Sequence, residues 1–520
     1  MRFASAVALL LAAATPGVAQ VTDPLTTTTD PADRAIMAEA ASAIASERPD
    51  IARLDAVLAR LSRPTPLRGM VQTVRAGVLA AANDVGPAVA AVEEALRLLP
   101  DDPRPKLVAS GIFTFTGSPQ RAADLWMQAS RESPDFARAS NRYVMMALIG
   151  RLTDAGDRDR ADRISARLAE IGYSAGLAPE RSSAALAHTR EAVRNAQDGE
   201  ALLGVSAIGD PDDLLTLYVD RLYATLWPRI AEWAGPDLAA QSLRYLEELR
   251  SDWVAADDFQ TAAPYARRLA GLHAYDAVVG LFLAKFDRLR PGAEQEGAEF
   301  LAPVVARSLT RLGREPEARA LLAKVAAATP PDDGGNGLNI DAAYLSLDAD
   351  RMDWPQVVTR ADAFLARAHL LGDAINRSAV IQVQAWRACG LWRTGRTDEA
   401  QRATAEVLLG ERVAPGAAMD MQLCRGDDAA ARALVIARLA DEATRGWALR
   451  FVQPAPDDSA TPLDRLMEPL AQAVRTAPDV LAAANRVGRI LPQPVDAVLP
   501  PTFDPFRVQP RPQPLAPGSV

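Results

Sequence analysis

Apolar side chains recur along most of this chain at the spacing of an α-helix, and alanines and prolines interrupt them in a fixed order. An alanine on the apolar face of a helix is followed 12 residues later by a proline that ends the helix. Three pairs have this gap: Ala88 with Pro100, Ala122 with Pro134, and Ala318 with Pro330. The first two pairs are offset by 34 residues. A fixed period of this kind predicts stacked helical hairpins.

The repeat is clearest in segments 69–102, 103–136 and 299–330. The second helix of each segment carries an alanine one turn before a larger apolar residue: Ala88 before Val92, Ala122 before Trp126, and Ala318 before Leu322. A small residue lets two helices approach closely, and the larger one fills the gap to the next repeat. Proline then stops the helix because it lacks an amide hydrogen.

These units resemble the tetratricopeptide repeat. The resemblance is strongest over 69–136 and 299–330, and it is weaker over 137–171, 258–289 and 340–440. It implies an all-α fold, a right-handed α–α superhelical solenoid of tetratricopeptide-like hairpins whose first helices line a concave groove. The larger consensus residues of the family are mostly replaced by Ala, Ser or Leu, which leaves the number of repeats open.

The segments outside the repeats suggest how the chain is divided. An apolar run, Ala4–Ala14, precedes a small-residue cleavage site, so we expect a signal peptide and a mature start at Gln20. The expected parts are a signal peptide at 1–19, a flexible segment at 20–33, repeats at 34–206 and 207–452, a linker at 453–462, a terminal helix pair that caps the array at 463–491, and a disordered proline-rich tail at 492–520. The mature protein is therefore expected in the periplasm or outside the cell, without membrane insertion.

Composition limits the choice of partner. Hydrophobic residues make up 49% of the chain, which is enough for a packed interior, and the net charge is −9. Arginines and acids alternate, so the chain lacks the positive field that binding to a phosphate backbone needs, and we expect no nucleic-acid partner. The two cysteines, Cys389 and Cys424, could form a disulfide in an exported protein or stay as separate buried thiols.

Residues that could carry chemistry are sparse. The three histidines, His188, His273 and His369, have no second ligand at metal-binding spacing, so we expect no metal, cofactor or catalytic residue. One match deserves weighing, because Arg131–Phe136 resembles the start of the catalytic motif of lytic transglycosylases, in which Glu132 would be the general acid. The glycine-rich stretch of that family does not follow here.

The remaining candidate surface is the concave groove. Helical phase places on it Arg104, Leu107, Phe115, Arg307, Arg311, Gln382, Trp392 and Arg393. Arginine beside an aromatic ring suits a carboxylate-bearing peptide, although the same residues could form an ordinary solvated face. The sequence therefore favours a non-catalytic scaffold that binds a protein or peptide partner in the cell envelope. The alternative is a cell-wall or carbohydrate-processing enzyme with a helical body.

Overall fold

The structure is a computed structural model that describes residues 28–507, except 46–48, 62, 83, 174–176, 291–296, 330–334, 373–374, 457–459 and 496, and only the backbone of residue 143. The expected signal peptide, residues 1–19, and residues 508–520 of the expected tail lie outside the described residues.

The described part of the chain contains 27 α-helices and two 3-10 helices but no β-strand, which confirms the all-α prediction. It separates into two compact units, and we call Met1–Gly176 unit 1 and Leu177–Val520 unit 2. This division falls earlier in the chain than the expected boundary at 206/207. The helices are numbered here in chain order within these units.

Unit 1 contains nine described helices that follow one another as neighbours. They are α1 (Pro31–Ile44), α2 (Ile51–Arg60), α3 (Pro66–Ala81), α4 (Val85–Leu98), α5 (Pro103–Phe115), α6 (Pro119–Glu132), α7 (Pro134–Arg138), α8 (Arg142–Asp154) and α9 (Arg158–Glu170). The predicted packing residues Ala88, Val92, Ala122 and Trp126 are all buried between them. One apolar cluster joins α1 to α3, and a second runs from α3 to α9.

Unit 2 contains eighteen described helices. They are α10 (Ala178–Arg194), α11 (Asp198–Val205), α12 (Pro211–Val219), α13 (Trp227–Ala234), α14 (Ala239–Ala256), α15 (Phe259–Gly271), α16 (Tyr275–Phe282), α17 (Ala298–Arg311), α18 (Glu315–Ala328), α19 (Leu338–Asp350), α20 (Trp354–Leu371), α21 (Arg377–Arg393), α22 (Thr397–Leu409), α23 (Pro415–Arg425), α24 (Asp428–Ala440), α25 (Glu442–Phe451), α26 (Pro462–Arg475) and α27 (Pro478–Val487). The two 3-10 helices are Arg221–Leu226 and Leu283–Arg288.

Hairpins of both units share one turn. A residue in the left-handed conformation follows the first helix, and the next residue donates its amide hydrogen to a carbonyl five residues back, as from Arg314 to Leu309 at 2.8 Å. This Schellman geometry satisfies carbonyls that a helix end would leave bare. The left-handed residues are Gly117, Gly156, Ala196, His273, Gly313, Met352, Gly395 and Gly426.

The distance between these turns is not constant. Gly313 and Met352 are 39 residues apart, whereas Gly395 and Gly426 are only 31 apart. Long helices such as α20, with 18 residues, alternate with shorter ones such as α23, with 11. The 34-residue period read from the sequence therefore describes the first repeats and not the whole array.

Unit 2 brings its two ends together. Helix α12 packs against α25, and one apolar cluster contains residues from 185–238 as well as residues from 358–491. Helix α26, which the sequence suggested as part of a terminal cap, lies against α19, α23 and α24. The turns of α26 thus contact helices from several hairpins instead of extending the end of the array.

The segment after α27 also packs on unit 2. We call residues 488–507 the C-terminal strap; only residue 496 within it is not described. Phe503 belongs to the apolar cluster of α14–α19, and Arg489 donates its backbone amide to the carbonyl of Val219 at 2.9 Å. Part of the segment that the sequence assigns to a disordered tail, within residues 492–507, therefore packs on unit 2.

Candidate functional site

The predicted groove residues of unit 1 serve mainly local structure. Arg104 forms an ion pair at 2.6 Å with Asp102, the N-cap residue of α5. Leu107 is buried in the apolar cluster, and Phe115 is half-buried at the end of the helix. These three residues consequently offer little free surface to a partner.

Three polar residues of unit 2 come together although they lie on different hairpins. Gln382 of α21 donates a hydrogen bond at 3.1 Å to the Asp420 carboxylate of α23. The charge of Arg307, on α17, acts on the same carboxylate. Since α17 is separated from α23 by two intervening hairpins, these side chains converge inside the array. We call the surface defined by Arg307, Gln382 and Asp420 the inner face, and we assign Arg267 to it because Arg267 and Arg307 each lie six residues before the left-handed residue of their hairpin.

Arg311 is not an open groove residue, contrary to the expectation from helical phase. Its side chain is only 2% exposed, because α26 covers it. Nη2 of Arg311 donates to Oδ1 of Asp464 at 3.0 Å, and Nη1 makes a second, shorter contact with the same carboxylate. Asp464 also accepts a hydrogen bond from the backbone of Thr461 in the capping box of α26. The arginine therefore anchors α26 to α17.

Trp392 and Arg393 line an open pocket of about 460 Å³ at the end of α21. The other lining residues are Arg425, Gly426, Asp427 and Asp428. The Arg425 guanidinium lies 5.0 Å from the centre of a Trp392 ring, and the indole nitrogen donates to Thr404 at 3.0 Å. Arg393 donates to the carbonyl of Cys424. Both predicted residues are thus held in place by neighbours.

Cys389 and Cys424 form a disulfide between α21 and α23, with their Cα atoms 5.8 Å apart. Both residues are fully buried. Cys389 lies six residues before the left-handed Gly395, and Cys424 lies two residues before Gly426. Side chains one helical turn apart along two neighbouring helices therefore meet. The sequence alone left both a disulfide and two separate thiols open, because the position of each cysteine along its helix relative to the neighbouring helix was unknown.

The sequence pattern did not predict one residue of the inner face, Arg267. Arg267 lies six residues before the left-handed His273, as Arg307 lies six residues before Gly313, so the two arginines occupy equivalent positions on α15 and α17. Both are exposed, and within the described residues neither makes a hydrogen bond or an ion pair. Neighbouring protein atoms partly desolvate the Arg267 guanidinium although the side chain reaches solvent, and this desolvation lowers its pKa. The turn signal was hidden because histidine stands where glycine usually marks the turn.

The sequence pattern also did not predict a pair of neighbouring acidic residues in unit 2, Asp210 and Asp213. Ser182 donates to the Asp213 carboxylate at 2.7 Å and accepts the backbone amide of Asp210 at 2.8 Å. Burial, assisted by the charge of Asp210, raises the pKa of Asp213 to about 6, and burial also raises the pKa of Asp210. The pKa of Tyr245 beside them lies far above its usual range, chiefly because the phenol is buried.

Asp420 is the second carboxyl with a strongly shifted pKa. Burial raises its pKa to about 6, although the hydrogen bond from Gln382 and the charge of Arg307 act in the opposite direction. Shifted titrating groups gather at functional sites more often than elsewhere. The inner face therefore combines a carboxyl that the protein desolvates with two arginines that make no hydrogen bond or ion pair within the described residues.

Glu132 and the three histidines, the residues that the sequence offered for catalysis or metal binding, contact neighbouring side chains or solvent. Glu132 accepts hydrogen bonds from Lys106 and, at 3.0 Å, from Gln128. His188 lies 3.0 Å from a carboxylate oxygen of Glu200, His273 packs its ring against Tyr275, and His369 is exposed on α20. The Glu132 carboxylate is thus held at the end of α6 by its own neighbours.

The comparisons with known proteins give no family. The chain matches no protein-family model, and it has no match among curated proteins. Among the described residues, no helix has both the length and the apolar character that crossing a membrane requires.

Proposed function

We propose that this protein is an exported helical-repeat scaffold that binds a protein or peptide partner in the cell envelope through the inner face of unit 2. In this proposal the hairpins form a right-handed α–α superhelix of the tetratricopeptide type. Export rests on the apolar run and cleavage site of residues 1–19. The Schellman turns that recur between paired helices in both units support the repeat architecture.

The observation that carries the proposal is the pair Arg267 and Arg307. An exposed guanidinium that makes no hydrogen bond within the described residues can donate two parallel hydrogen bonds to one carboxylate, which gives the contact both strength and direction. Because partial desolvation already lowers the pKa of Arg267, a carboxylate that arrives there also relieves part of the desolvation cost of this charge. A partner with acidic side chains is therefore the best fit.

The geometry of the pair suggests how such a partner lies. Helices that pack side by side have axes about 8–10 Å apart, and α15 packs against α17. A chain in the extended polyproline II conformation has three residues per turn and rises about 3.1 Å per residue, so acidic side chains three residues apart point the same way and lie about 9 Å apart. We propose that a partner lays an extended acidic segment across the two arginines, with Gln382 and Asp420 at one end of its path.

A charge-reversal experiment tests this proposal. An Arg267→Glu/Arg307→Glu variant should bind a fluorescent peptide with glutamates three residues apart at least tenfold more weakly than the parent protein, as measured by anisotropy. The matched control is Arg402→Glu/Arg450→Glu, which changes the net charge equally at two exposed arginines of unit 2. In periplasmic extract, a photo-crosslinking residue at position 382 should capture a partner that the same residue at position 402 does not. Equal loss of binding in both double variants would contradict a specific inner-face site.

A second candidate function is the cell-wall or carbohydrate-processing enzyme. The specific observation in its favour is the acid pair Asp210 and Asp213, whose pKa values are both raised, since a general acid must hold its proton near neutral pH. Asp210 also accepts the backbone amide of Asp212 at 2.9 Å and so caps α12. Hydrolysis of purified peptidoglycan that disappears in Asp213→Asn, with the fold unchanged by circular dichroism, would favour this enzyme over the scaffold.

A further inference from the structure

The C-terminal strap ends in a binding site formed by residues of α14–α16. The Phe503 ring is 5% exposed, and the Arg250 guanidinium lies 5.0 Å from its centre. Pro505 is buried beside it, whereas Asp504 and Phe506 are exposed. Unit 2 thus covers Phe503 and Pro505, as a recognition groove covers alternate residues of an extended peptide, while Phe506 lies at the exposed edge of the site.

Two buried side chains of the site recognise the backbone of the strap. Nη1 of Arg250 donates to the carbonyl of Asp504 at 3.1 Å, and the hydroxyl of Tyr265 donates to the carbonyl of Pro505 at 3.3 Å. Arg250 forms an ion pair with Glu247 of its own helix, and Tyr265 packs its ring against Trp253 and Phe282, so contacts outside the strap hold both side chains in position. Hydrogen bonds to backbone carbonyls do not depend on which chain supplies the peptide.

The exposed edge of the site has room for the Phe506 ring because residue 280 is glycine. A Cβ atom at Gly280 would lie 3.0 Å from Cε1 of Phe506, which is closer than ordinary van der Waals contact. A larger side chain there would push Phe506 away. The site therefore fits the four-residue segment from Phe503 to Phe506 through one buried ring, two carbonyls and one ring over a glycine.

The strap reaches this site through a stretch that touches unit 2 by the apolar side chains of Val495 and Leu499, which pack against its buried clusters. Pro492, Pro494, Pro500 and Pro501 have no amide hydrogen to donate, and Val498 is 66% exposed. Upstream, Arg489 is fixed between the rings of Tyr218 and Trp227. The described residues 492–502 make no backbone hydrogen bond to unit 2 outside the strap, so apolar contacts alone join the last residues of the strap to this anchor.

We infer that α14–α16 form a recognition site for the segment Phe503–Phe506, and that the same segment from a second copy of this chain enters the site in trans when the chain's own segment is released. The tethered segment has an effective concentration of roughly millimolar, so in a single chain it masks the site. Exchange of an identical element between two copies needs no contacts beyond those already made within one copy. The inference uses none of the inner-face residues and stands apart from the proposed function.

Peptide binding tests the site in the full-length protein. A labelled peptide with the sequence of residues 499–507 should bind Phe503→Ala, whose own segment has lost its anchor, at least tenfold more tightly than it binds the parent protein. The same peptide with alanine in place of Phe503 should bind neither. Failure of the first peptide to bind a Phe503→Ala protein that is folded by circular dichroism would overturn the inference, as would equal binding to both proteins.

Complementation tests exchange between copies and does not depend on the peptide. Gly280→Leu blocks the site but keeps a complete strap, while Phe503→Ala keeps an open site but lacks the anchor. A mixture of the two variants should sediment faster than either variant alone, because only the mixture pairs an intact segment with an open site. A double variant that carries both substitutions should not pair with either one. A mixture that sediments like its separate components would overturn the exchange between copies.

Discussion

In unit 1 the buried clusters join helices that are close along the chain, whereas in unit 2 one cluster joins residues from 185–238 to residues from 358–491. Both units use hairpins with the same Schellman turn. The difference is that unit 2 also has a disulfide, a helix that crosses several hairpins and a strap that returns to its first helices.

The two units illustrate two ways of stabilising packed helical hairpins. When each hairpin touches only its neighbours, stability is close to a sum of local terms, and damage stays local. When distant hairpins also touch, the closing contacts make stability a property of the whole unit. We therefore expect substitutions in unit 1 to act near their own position and substitutions at the closing contacts of unit 2 to act broadly.

Trp126→Ala should have the largest effect, a loss of about 3–5 kcal/mol in the free energy of unfolding, as for other large aromatic residues removed from a core. Trp126 is 1% exposed, and its indole donates to Ser140 at 3.0 Å. Hydrogen exchange should accelerate over α5–α9 and stay unchanged in unit 2. The matched variant in unit 2 is Phe282→Ala, at a fully buried site, which should accelerate exchange in helices far from α16. Equally local effects of both substitutions would contradict the comparison.

Removal of the disulfide comes next. Cys389→Ala/Cys424→Ala opens a loop closed across 35 residues, for which loop entropy gives a loss of about 3–4 kcal/mol. Thermal unfolding of the variant should begin in unit 2, with hydrogen exchange in unit 1 as the internal control. A reducing agent should shift the parent protein in the same way and leave the variant unaffected. A shift of the variant by the reducing agent would show that some other group responds to it.

The seam between the ends of unit 2 should respond to Arg489→Ala. The Arg489 guanidinium lies 3.9 Å from the ring centre of Tyr218 and 4.0 Å from that of Trp227, and its Nε donates to the Tyr218 carbonyl at 2.8 Å. Loss of these contacts should cost about 2 kcal/mol. Arg489→Lys keeps the charge but not the planar stacking, so it should lose about half as much. Exchange should rise together in α12 and α25; a rise in α27 alone would contradict a closing role.

The stability of unit 2 should also depend on pH through Asp213 and Asp420. The folded state raises both pKa values to about 6 from an ordinary value of 3.8, so between about pH 4 and 6 it binds more protons than the unfolded state. Stability should therefore rise as the pH falls from 7 to 5, by about 1 kcal/mol for each group, since both side chains keep some contact with water. Denaturant unfolding of Asp213→Asn and Asp420→Asn should show a flatter profile, whereas a steeper one would reverse the assignment.

The contrast between the units also explains which features the sequence predicted. The burial of Ala88, Trp126 and Leu322 follows from periodicity within one hairpin, so it could be derived from local pattern. The burial of Arg311 beneath α26 could not be derived in this way, because its contact residue Asp464 is 153 residues away in sequence. Likewise, the convergence of Arg307, Gln382 and Asp420 depends on how far each hairpin rotates relative to the last. Local phase locates a side chain on a helix face but does not say what lies opposite it.

The smallest expected effect concerns the turn that both units share. At Gly313, φ is +74°, and alanine there should destabilise the protein by about 1 kcal/mol, because a Cβ atom crowds the next carbonyl in the left-handed conformation. Met352 occupies the equivalent place with φ +59°, so Met352→Gly should remove that strain and offset the added freedom of the unfolded chain. The two substitutions should therefore shift the denaturation midpoint in opposite directions. Gly86→Ala is the control, since this glycine lies inside α4, has a right-handed backbone and has open space around the position of a Cβ; alanine there should stabilise by up to about 1 kcal/mol. A loss of stability from Met352→Gly would mean that the methionine side chain, and not the backbone conformation, determines the stability of that turn.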